Sequence, residues 1–172
     1  MSTMNVLICQ QPKELVWKQR EIPIPGDNEA LIKIKSVGIC GTDIHAWGGN
    51  QPFFSYPRVL GHEICGEIVG LGKNIADLKN GQQVAVIPYV ACQQCPACKS
   101  GRTNCCEKIS VIGVHQDGGF SEYLSVPVAN ILPADGIDPQ AAALIEPFAI
   151  SAHAVRRAAI APGEQVLVVG AG

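Results

Sequence analysis

Four cysteines in the middle of the chain have the spacing of a metal site. They are separated by two, two and seven residues. Thiolates at such short intervals converge on one tetrahedral zinc ion with Zn–S distances of about 2.3 Å. The polar, turn-forming stretch 99–104 lets the chain fold back between them. Because four sulfurs fill the coordination shell, the pattern predicts a structural zinc rather than a catalytic one. The four positions are Cys92, Cys95, Cys98 and Cys106.

Two questions about this four-cysteine lobe, residues 92–106, stay open on spacing alone. Cys105 stands next to Cys106 and carries the same kind of ligand atom. We assign the fourth ligand to Cys106 because Cys105 would shorten the lobe, and Cys105 remains the alternative. Disulfides or free core thiols are the competing interpretation of the whole cluster.

A second set of metal-ligating side chains comes from separate places in the sequence. Cys40 begins the stretch Cys-Gly-Thr-Asp-Ile-His, and His62 and Glu63 follow about twenty residues later, after a glycine. Glu146 precedes Pro147 in an alanine-rich segment and could approach the same centre. A thiolate, an imidazole and a carboxylate are typical of a catalytic zinc that keeps one position open. Taken singly, each residue also has an ordinary interpretation, such as a buried small thiol for Cys40.

Composition places the chain among globular proteins and excludes several classes of partner. Its 172 residues are 47% hydrophobic and 16% charged, enough for one core and the start of a second domain. With a formal net charge of −2, the chain has no excess of basic residues that would bind phosphates, so we expect no nucleic-acid partner. No stretch approaches the roughly 20 apolar residues of a membrane span, so we expect no membrane partner. Eight cysteines without a secretory signal predict a cytoplasmic location.

Short apolar runs between glycines and prolines predict a mainly β fold. The chain has 18 glycines and 12 prolines, and the runs between them alternate or are rich in β-branched residues. The predicted strands are 30–37, 67–69, 83–88 and 120–126. Helix is predicted only from Pro139 to about Ala159, where apolar residues recur at helical spacing, with an interruption at Pro147.

The end of the chain has the pattern that begins a dinucleotide-binding unit. The run 165–169 is typical of a strand buried on both faces, and Gly170-Ala171-Gly172 follows it directly. A glycine pair by itself is weak evidence, and a terminal turn is the alternative. We expect the chain to be the front part of a longer polypeptide in which Gly170 and Gly172 contribute to cofactor binding.

Five motifs in order resemble those of the zinc-dependent medium-chain dehydrogenases. They are Cys-Gly-Thr-Asp-x-His (40–45), Gly-His-Glu-x-x-Gly (61–66), the four-cysteine lobe, Asp-Gly-Gly-Phe-Ser-Glu-Tyr (117–123) and Gly-Ala-Gly (170–172). The resemblance covers essentially the whole chain. Glu146-Pro147 is similar to the sorbitol and sugar-polyol branch, and within it to bacterial sugar-acid dehydrogenases, with L-galactonate as the best single substrate.

The resemblance implies two domains and two zinc ions. Residues 1–148 would form a GroES-like, mainly β catalytic domain with the four-cysteine zinc lobe. Residues 149–172 would supply the first helix and strand of a truncated Rossmann domain, which binds NAD or NADP when full length. Cys40, His62 and Glu63 would hold the catalytic zinc, with Glu146 as a further ligand or acting through a water molecule.

The resemblance also implies roles in catalysis. Thr42 and His45 would form a proton relay from the substrate hydroxyl to solvent, and Asp43 would orient a ligand. The predicted enzyme oxidises a secondary hydroxyl of a polyol or sugar acid with NAD(P), is a homo-oligomer when full length, and is inactive as this fragment. The alternatives are a non-catalytic zinc-stabilised binding module and a thiol redox protein. Two, one or no zinc ions per chain would separate these three hypotheses.

Overall fold

The structure is a computed structural model and describes residues 2–170. The predicted mainly β fold is confirmed, with short helices between the strands and longer helix only near the end. The strands are β1 (Thr3–Gln11), β2 (Glu14–Glu21), β3 (Glu29–Gly38), β4 (Arg58–Val59), β5 (Glu63–Leu71), β6 (Gln83–Val86), β7 (Tyr89–Val90), β8 (Ser110–Val111), β9 (Tyr123–Pro127) and β10 (Ile131–Pro133). The α-helices are α1 (Gly41–Gly48), α2 (Pro96–Lys99), α3 (Pro139–Ala143) and α4 (Ile145–Ala158).

The strands form three antiparallel sheets. A five-stranded sheet has the order β10-β6-β5-β3-β9, a three-stranded sheet has the order β2-β1-β4, and β7 pairs with β8. In the larger sheet, the end of β3 lies beside the start of β5, so that Gly38 is opposite Glu63. This register places the segment that leads into α1 next to the segment that begins β5.

The main core lies on the five-stranded sheet. Along β3, Ala30 and Ile32 are fully buried while Lys33 and Lys35 are exposed, as the two-residue period of a strand requires. The buried side chains of this cluster are Ala30, Ile32, Ile64, Ile68, Val84, Val86, Ile112, Val126 and Ile131. Their shared burial holds β3, β5, β6 and β9 in register, which fixes the turns at their ends.

The four strands predicted between residues 30 and 126 are all present, with shifted bounds. The segment 30–37 lies inside β3, 67–69 is the middle of a longer β5, and 83–88 and 120–126 overlap β6 and β9. The β1–β2 hairpin was not predicted. Its second strand, β2, is mostly exposed and polar, and therefore lacks a clear apolar run.

The predicted helix near the end is interrupted at a different residue. The break lies at Leu144, between α3 and α4, and the predicted break at Pro147 is wrong. Pro147 is the third residue of α4, where a backbone N–H has no intrahelical partner, so proline is tolerated. Asp138 caps the N-terminus of α3, since its Oδ1 accepts from the backbone N–H groups of Gln140 and Ala141 at 3.0 and 3.2 Å.

The predicted terminal strand is not formed. The backbone of residues 165–169 is irregular, and Leu167, Val168 and Val169 are 87%, 72% and 85% exposed. A strand of this apolar type is buried between neighbouring strands. Residues 165–169 have no neighbouring strand among residues 2–170, so they do not form one. The predicted domain boundary at 148 falls within α4, and the division into two domains stays a prediction. In the described part of the chain, no helix has the length and apolar character that crossing a membrane requires.

Candidate metal centres

The four-cysteine lobe brings its sulfur atoms together. The Sγ atoms of Cys92, Cys95, Cys98 and Cys106 all lie within 4.8 Å of one another. The Sγ atoms of Cys92 and Cys98 are 4.0 Å apart, close to the edge of about 3.8 Å of a tetrahedron with Zn–S distances of about 2.3 Å. All eight cysteines are free, and this separation is far from the roughly 2.0 Å of a disulfide.

The local structure of the lobe decides between the two adjacent cysteines. A 3-10 turn, Thr103–Cys105, ends directly before Cys106 and turns that side chain inward. The backbone N–H groups of Cys92 and Lys108 each donate to its Sγ at 3.3 Å. The side chain of Cys105 is exposed and accepts only a 3.5 Å contact from the Asn104 amide. Cys106 therefore belongs to the cluster and Cys105 does not.

The protonation of the lobe fits a bound cation. Backbone N–H groups of Gln94 and Cys95 lower the pKa of the Cys92 thiol to about 6. Burial, followed by contacts with neighbouring sulfurs, raises the pKa of Cys98 to about 12. Because the four sulfurs compete for negative charge, a set of four thiolates is stable only with a cation among them. The donor set and its geometry fit a zinc ion.

A second cluster combines one sulfur, one imidazole and one carboxylate. A ligand atom from each of Cys40, His62 and Glu63 lies within 4.8 Å of the other two. Cys40 directly precedes α1, His62 directly precedes β5, and Glu63 is the first residue of β5. His62 and Glu63 are each only 7% exposed. A buried carboxylate beside a thiol is costly unless a cation compensates it, so this cluster also fits a metal ion.

One buried carboxylate links the two segments of this cluster. Asp43 is 2% exposed; its Oδ2 accepts from the N–H of Cys40 at 2.9 Å, and its Oδ1 from the N–H of Gly61 at 3.0 Å. Oδ1 also lies 3.7 Å from Nδ1 of His62. That nitrogen is buried and has no hydrogen-bond partner among residues 2–170. Asp43 thus holds the backbone on both sides of the cluster. Its predicted role in orienting a ligand stays a prediction.

Two glycines make room for the cluster. A Cβ at Gly38 would collide with the carboxylate of Glu63, which lies opposite it in the β3–β5 register. Gly61 has φ +90°, a conformation that favours glycine, and a Cβ there would lie 2.8 Å from the ring of Phe120. Sequence reasoning did not assign a role to Gly38. Its place two residues before Cys40 was the available signal.

Glu146, the fourth predicted residue of this centre, is not in the three-donor group. Its Oε1 accepts a hydrogen bond from the hydroxyl of Tyr89 at 2.7 Å. Partial burial, with the hydrogen bond and charge of Glu146, raises the pKa of Tyr89 above its usual range. The charge of Cys40 acts in the same direction. Tyr89 was missed because no local pattern marks a contact between residues 57 positions apart.

The remaining predicted site residues lie on α1 and at the chain end. Thr42 is half-buried and His45 is exposed; three positions apart, they share one face of α1. Gly170 is exposed with φ +78°. Gly172 lies outside the described residues, so the predicted cofactor-binding pair remains a prediction.

The chain spans about half the length of the curated relatives that it matches. An uncharacterized zinc-type alcohol dehydrogenase-like protein of Haemophilus influenzae is 43% identical over 98% of the chain and 50% of its own length. The starvation-sensing protein RspB of Escherichia coli K12 is 42% identical with the same coverage. An L-threonine 3-dehydrogenase of Chelativorans is 35% identical over 98% of the chain and 50% of its own length.

Solved structures also match this chain over slightly less than half of their own length. The rspB alcohol dehydrogenase of Escherichia coli CFT073, in complex with NADH, has a TM-score of 0.85 and 40% identity, covering 91% of this chain and 46% of that one. Galactitol-1-phosphate dehydrogenase of Escherichia coli has a TM-score of 0.86 and 33% identity, covering 91% and 45%.

A family model described as the alcohol dehydrogenase GroES-like domain matches residues 26–136. These residues contain all five strands of the five-stranded sheet, the three-donor cluster and the four-cysteine lobe. Together with the β-rich topology, this match shows that the chain belongs to the alcohol dehydrogenase GroES-like domain family.

Proposed function

We propose that this chain is the zinc-binding catalytic part of an NAD(P)-dependent dehydrogenase that oxidises a secondary hydroxyl group. The observation that carries the proposal is the convergence of Cys40, His62 and Glu63 on one point in a chain of this family. Three protein donors leave a tetrahedral ion one position short, which is the arrangement of catalytic rather than structural zinc. The four-cysteine lobe, with all four positions filled by sulfur, would hold the structural zinc.

We assign the steps of the proposed reaction to particular residues of the chain. A zinc ion at the three-donor cluster supplies a Lewis acid that makes a substrate hydroxyl more acidic. Thr42, half-buried on α1, accepts that proton and passes it to His45, which is exposed to solvent. An imidazole is suited to this exchange near neutral pH. The hydride goes to NAD or NADP, whose binding we assign to a Rossmann domain that begins at residue 149 and includes Gly170 and Gly172.

The substrate that we propose is a polyol or a sugar acid, with L-galactonate as the best single candidate. Glu63 supplies a carboxylate to the cluster, where a second thiolate would make the site softer. We assign Glu146 as a further ligand or as acting through a water molecule. Oxygen donors suit a substrate that presents neighbouring hydroxyl groups. The similarity to galactitol-1-phosphate dehydrogenase supports a polyol-like substrate. The similarity to L-threonine 3-dehydrogenases makes L-threonine, with its adjacent amino and hydroxyl groups, the second candidate.

The test is a substrate screen on the complete protein. L-galactonate, other sugar acids, polyols, L-threonine and ethanol are each supplied with NAD and with NADP, and the absorbance of the reduced nicotinamide is followed. We expect a sugar acid or polyol to be oxidised far faster than ethanol. A strong preference for ethanol would overturn the substrate proposal, and a preference for L-threonine would select the second candidate.

Metal analysis separates the enzyme from a non-catalytic binding module. We expect two zinc ions per chain in the complete protein, and a Glu63→Ala variant that keeps one and loses activity. A Glu67→Ala variant is the matched control, because Glu67 lies on the same strand and pairs with Lys35 away from the cluster. One zinc per chain in the unaltered protein would favour the module. We further propose that the full-length protein is a cytoplasmic homo-oligomer, which size-exclusion chromatography and cell fractionation would test.

A further inference from the structure

The backbone beside His62 is held by a loop that comes much later in the chain. Residues 60–62 lie between β4 and β5 and belong to neither strand. The loop 117–120 supplies the backbone hydrogen bonds that a neighbouring strand would otherwise supply, at 2.8–3.0 Å. The donors are the N–H groups of Gly118, Gly119 and Phe120, and their respective acceptors are the carbonyl groups of Val59, Gly61 and Leu60.

One of these bonds acts on the peptide group that joins Gly61 to His62. The N–H of Gly119 donates to the carbonyl oxygen of that peptide at 2.8 Å. On its other side, the N–H of Gly61 donates to Oδ1 of Asp43 at 3.0 Å. Because rotation of the Gly61–His62 peptide would move the Cα of His62, the bond from Gly119 sets where the imidazole lies.

The loop approaches this closely because two of its contacts have no side chain. A Cβ at Gly118 would collide with the carbonyl oxygen of Gly61 and would lie 2.6 Å from that of Leu60. A Cβ at Gly113, which precedes the loop, would lie 2.5 Å from the same Gly61 oxygen. Both separations are well inside van der Waals contact. The atoms in the way belong to the backbone, so a side chain at Gly118 would force residues 60–61 to move.

The first residue of the loop ties it to the three-stranded sheet. Oδ1 of Asp117 accepts from the N–H of Val59 at 3.0 Å. The carboxylate also pairs with Nη1 of Arg20 on β2 at 2.6 Å and with Nη1 of Arg58 on β4 at 3.5 Å. Because the Asp117 side chain is 39% exposed, these ion pairs contribute little energy. The close glycine contacts therefore carry the inference.

We propose that Gly118 and Gly119 are positioning residues for His62 as a metal ligand. This inference rests on the proposed function, because it requires a metal ion at the three-donor cluster. Donor distances at a metal site have to be held within about 0.2 Å. A shift of several tenths of an ångström in the peptide that carries His62 would therefore weaken binding. The competing explanation is that the loop stabilises the fold without affecting the metal site.

The test compares two variants of the complete protein that create the same kind of clash in different places. In Gly118→Ala, the new Cβ meets carbonyl oxygens in the segment that leads to His62. In Gly72→Ala, the matched control, the new Cβ meets the carbonyl oxygens of Gly26 and Asp27. Gly72 directly follows the end of β5, whereas His62 directly precedes its start. Both variants should lower the thermal stability of the protein.

The measurements are made with Co²⁺ at the three-donor cluster and zinc in the four-cysteine lobe. We expect Gly118→Ala to lower the Co²⁺ affinity of the cluster by about 10- to 100-fold, measured by competition with a chelator. The visible spectrum of the bound cobalt ion should also change. In Gly72→Ala the affinity and the spectrum should be those of the unaltered protein. The zinc of the lobe is the internal reference and should be retained in both variants.

A milder variant keeps the test decisive if Gly118→Ala does not fold. A Cβ at Gly119 would meet side-chain carbons of Ile64 at 2.7 and 2.8 Å, and a side chain can shift where a backbone cannot. We therefore expect Gly119→Ala to fold, with an altered cobalt spectrum and a smaller loss of affinity. Unchanged spectrum and affinity in the loop variants that fold would overturn the inference, as would equal changes in Gly72→Ala. If Cys40→Ser leaves the metal content of the protein unchanged, the proposed function itself fails instead.

Discussion

Replacing Asp43 by asparagine is the most direct test of how the three-donor cluster is held. The carboxylate accepts from two buried backbone N–H groups, those of Cys40 and Gly61, at 2.9 and 3.0 Å. An asparagine side chain has the same shape but only one acceptor oxygen. Its NH₂ group must therefore face one of the two N–H donors, and that donor loses its partner.

The magnitude follows from these two bonds. A hydrogen bond to a charged group contributes about 1.5–3 kcal/mol, and a buried N–H without a partner costs about 1–3 kcal/mol. Both figures describe the loss of the same bond, so we expect Asp43→Asn to lower the free energy of unfolding by about 1.5–3 kcal/mol. That loss is large beside the roughly 5–15 kcal/mol of a typical domain, but it leaves the chain folded. The amides of Cys40 and Gly61 should also exchange with solvent faster.

The assay combines urea unfolding, amide hydrogen exchange and metal analysis. We expect the variant to lose the metal of the three-donor cluster, because the segments carrying Cys40 and His62 are no longer tied together, and to keep the metal of the four-cysteine lobe. Asp27→Asn is the matched control, since that carboxylate is 59% exposed and only pairs with Lys73 at 3.4 Å. A change in unfolding free energy below about 0.5 kcal/mol, with unchanged metal content, would refute this reasoning.

Three further predictions concern the same two centres. Gly38→Ala should displace the Glu63 carboxylate and lower metal affinity at the three-donor cluster by about 10- to 100-fold, measured by competition with a chelator; Gly41→Ala, where a Cβ meets nothing within 4 Å, is the control. Cys98→Ser should remove about one zinc per chain and lower thermal stability, and Cys105→Ser should change neither, by elemental analysis and calorimetry. His45→Ala in the complete protein should slow oxidation about 10²-fold or more near neutral pH and alter the pH profile with normal zinc content; an unchanged profile would remove His45 from the relay.

Local features of this chain were readable from its sequence. The four-cysteine spacing located the lobe because its ligands lie within a few residues of each other, so the turns that join them are set by nearby residues. The strand β3 was recognisable because alternate residues pack in the core, which leaves a two-residue pattern. The strands β5 and β6 are buried at consecutive positions and were recognisable as short apolar runs. Their bounds were less certain, since the ends of a strand depend on its partners.

Long-range features were not readable in the same way. Proline indicated a break at residue 147, but its position in the first turn of α4 makes it harmless, and the chain breaks at Leu144 instead. The run 165–169 has the letters of a buried strand, yet a strand requires neighbours, and none is present among residues 2–170. In both cases the sequence pattern is present, but the surrounding structure determines whether the helix breaks or the strand forms.

The sequence by itself determined which ligand types are available and that the fold is mainly β, because residue chemistry and short-range periodicity are local properties. Only the tertiary structure decided that Cys106 rather than Cys105 joins the sulfur cluster and that Asp43 ties Cys40 to Gly61, 18 positions beyond it. It also decided that Glu146 bonds to Tyr89. The reason is geometric: the register of β3 against β5, and the position of α4 against β7, bring together residues whose separation along the chain carries no signal.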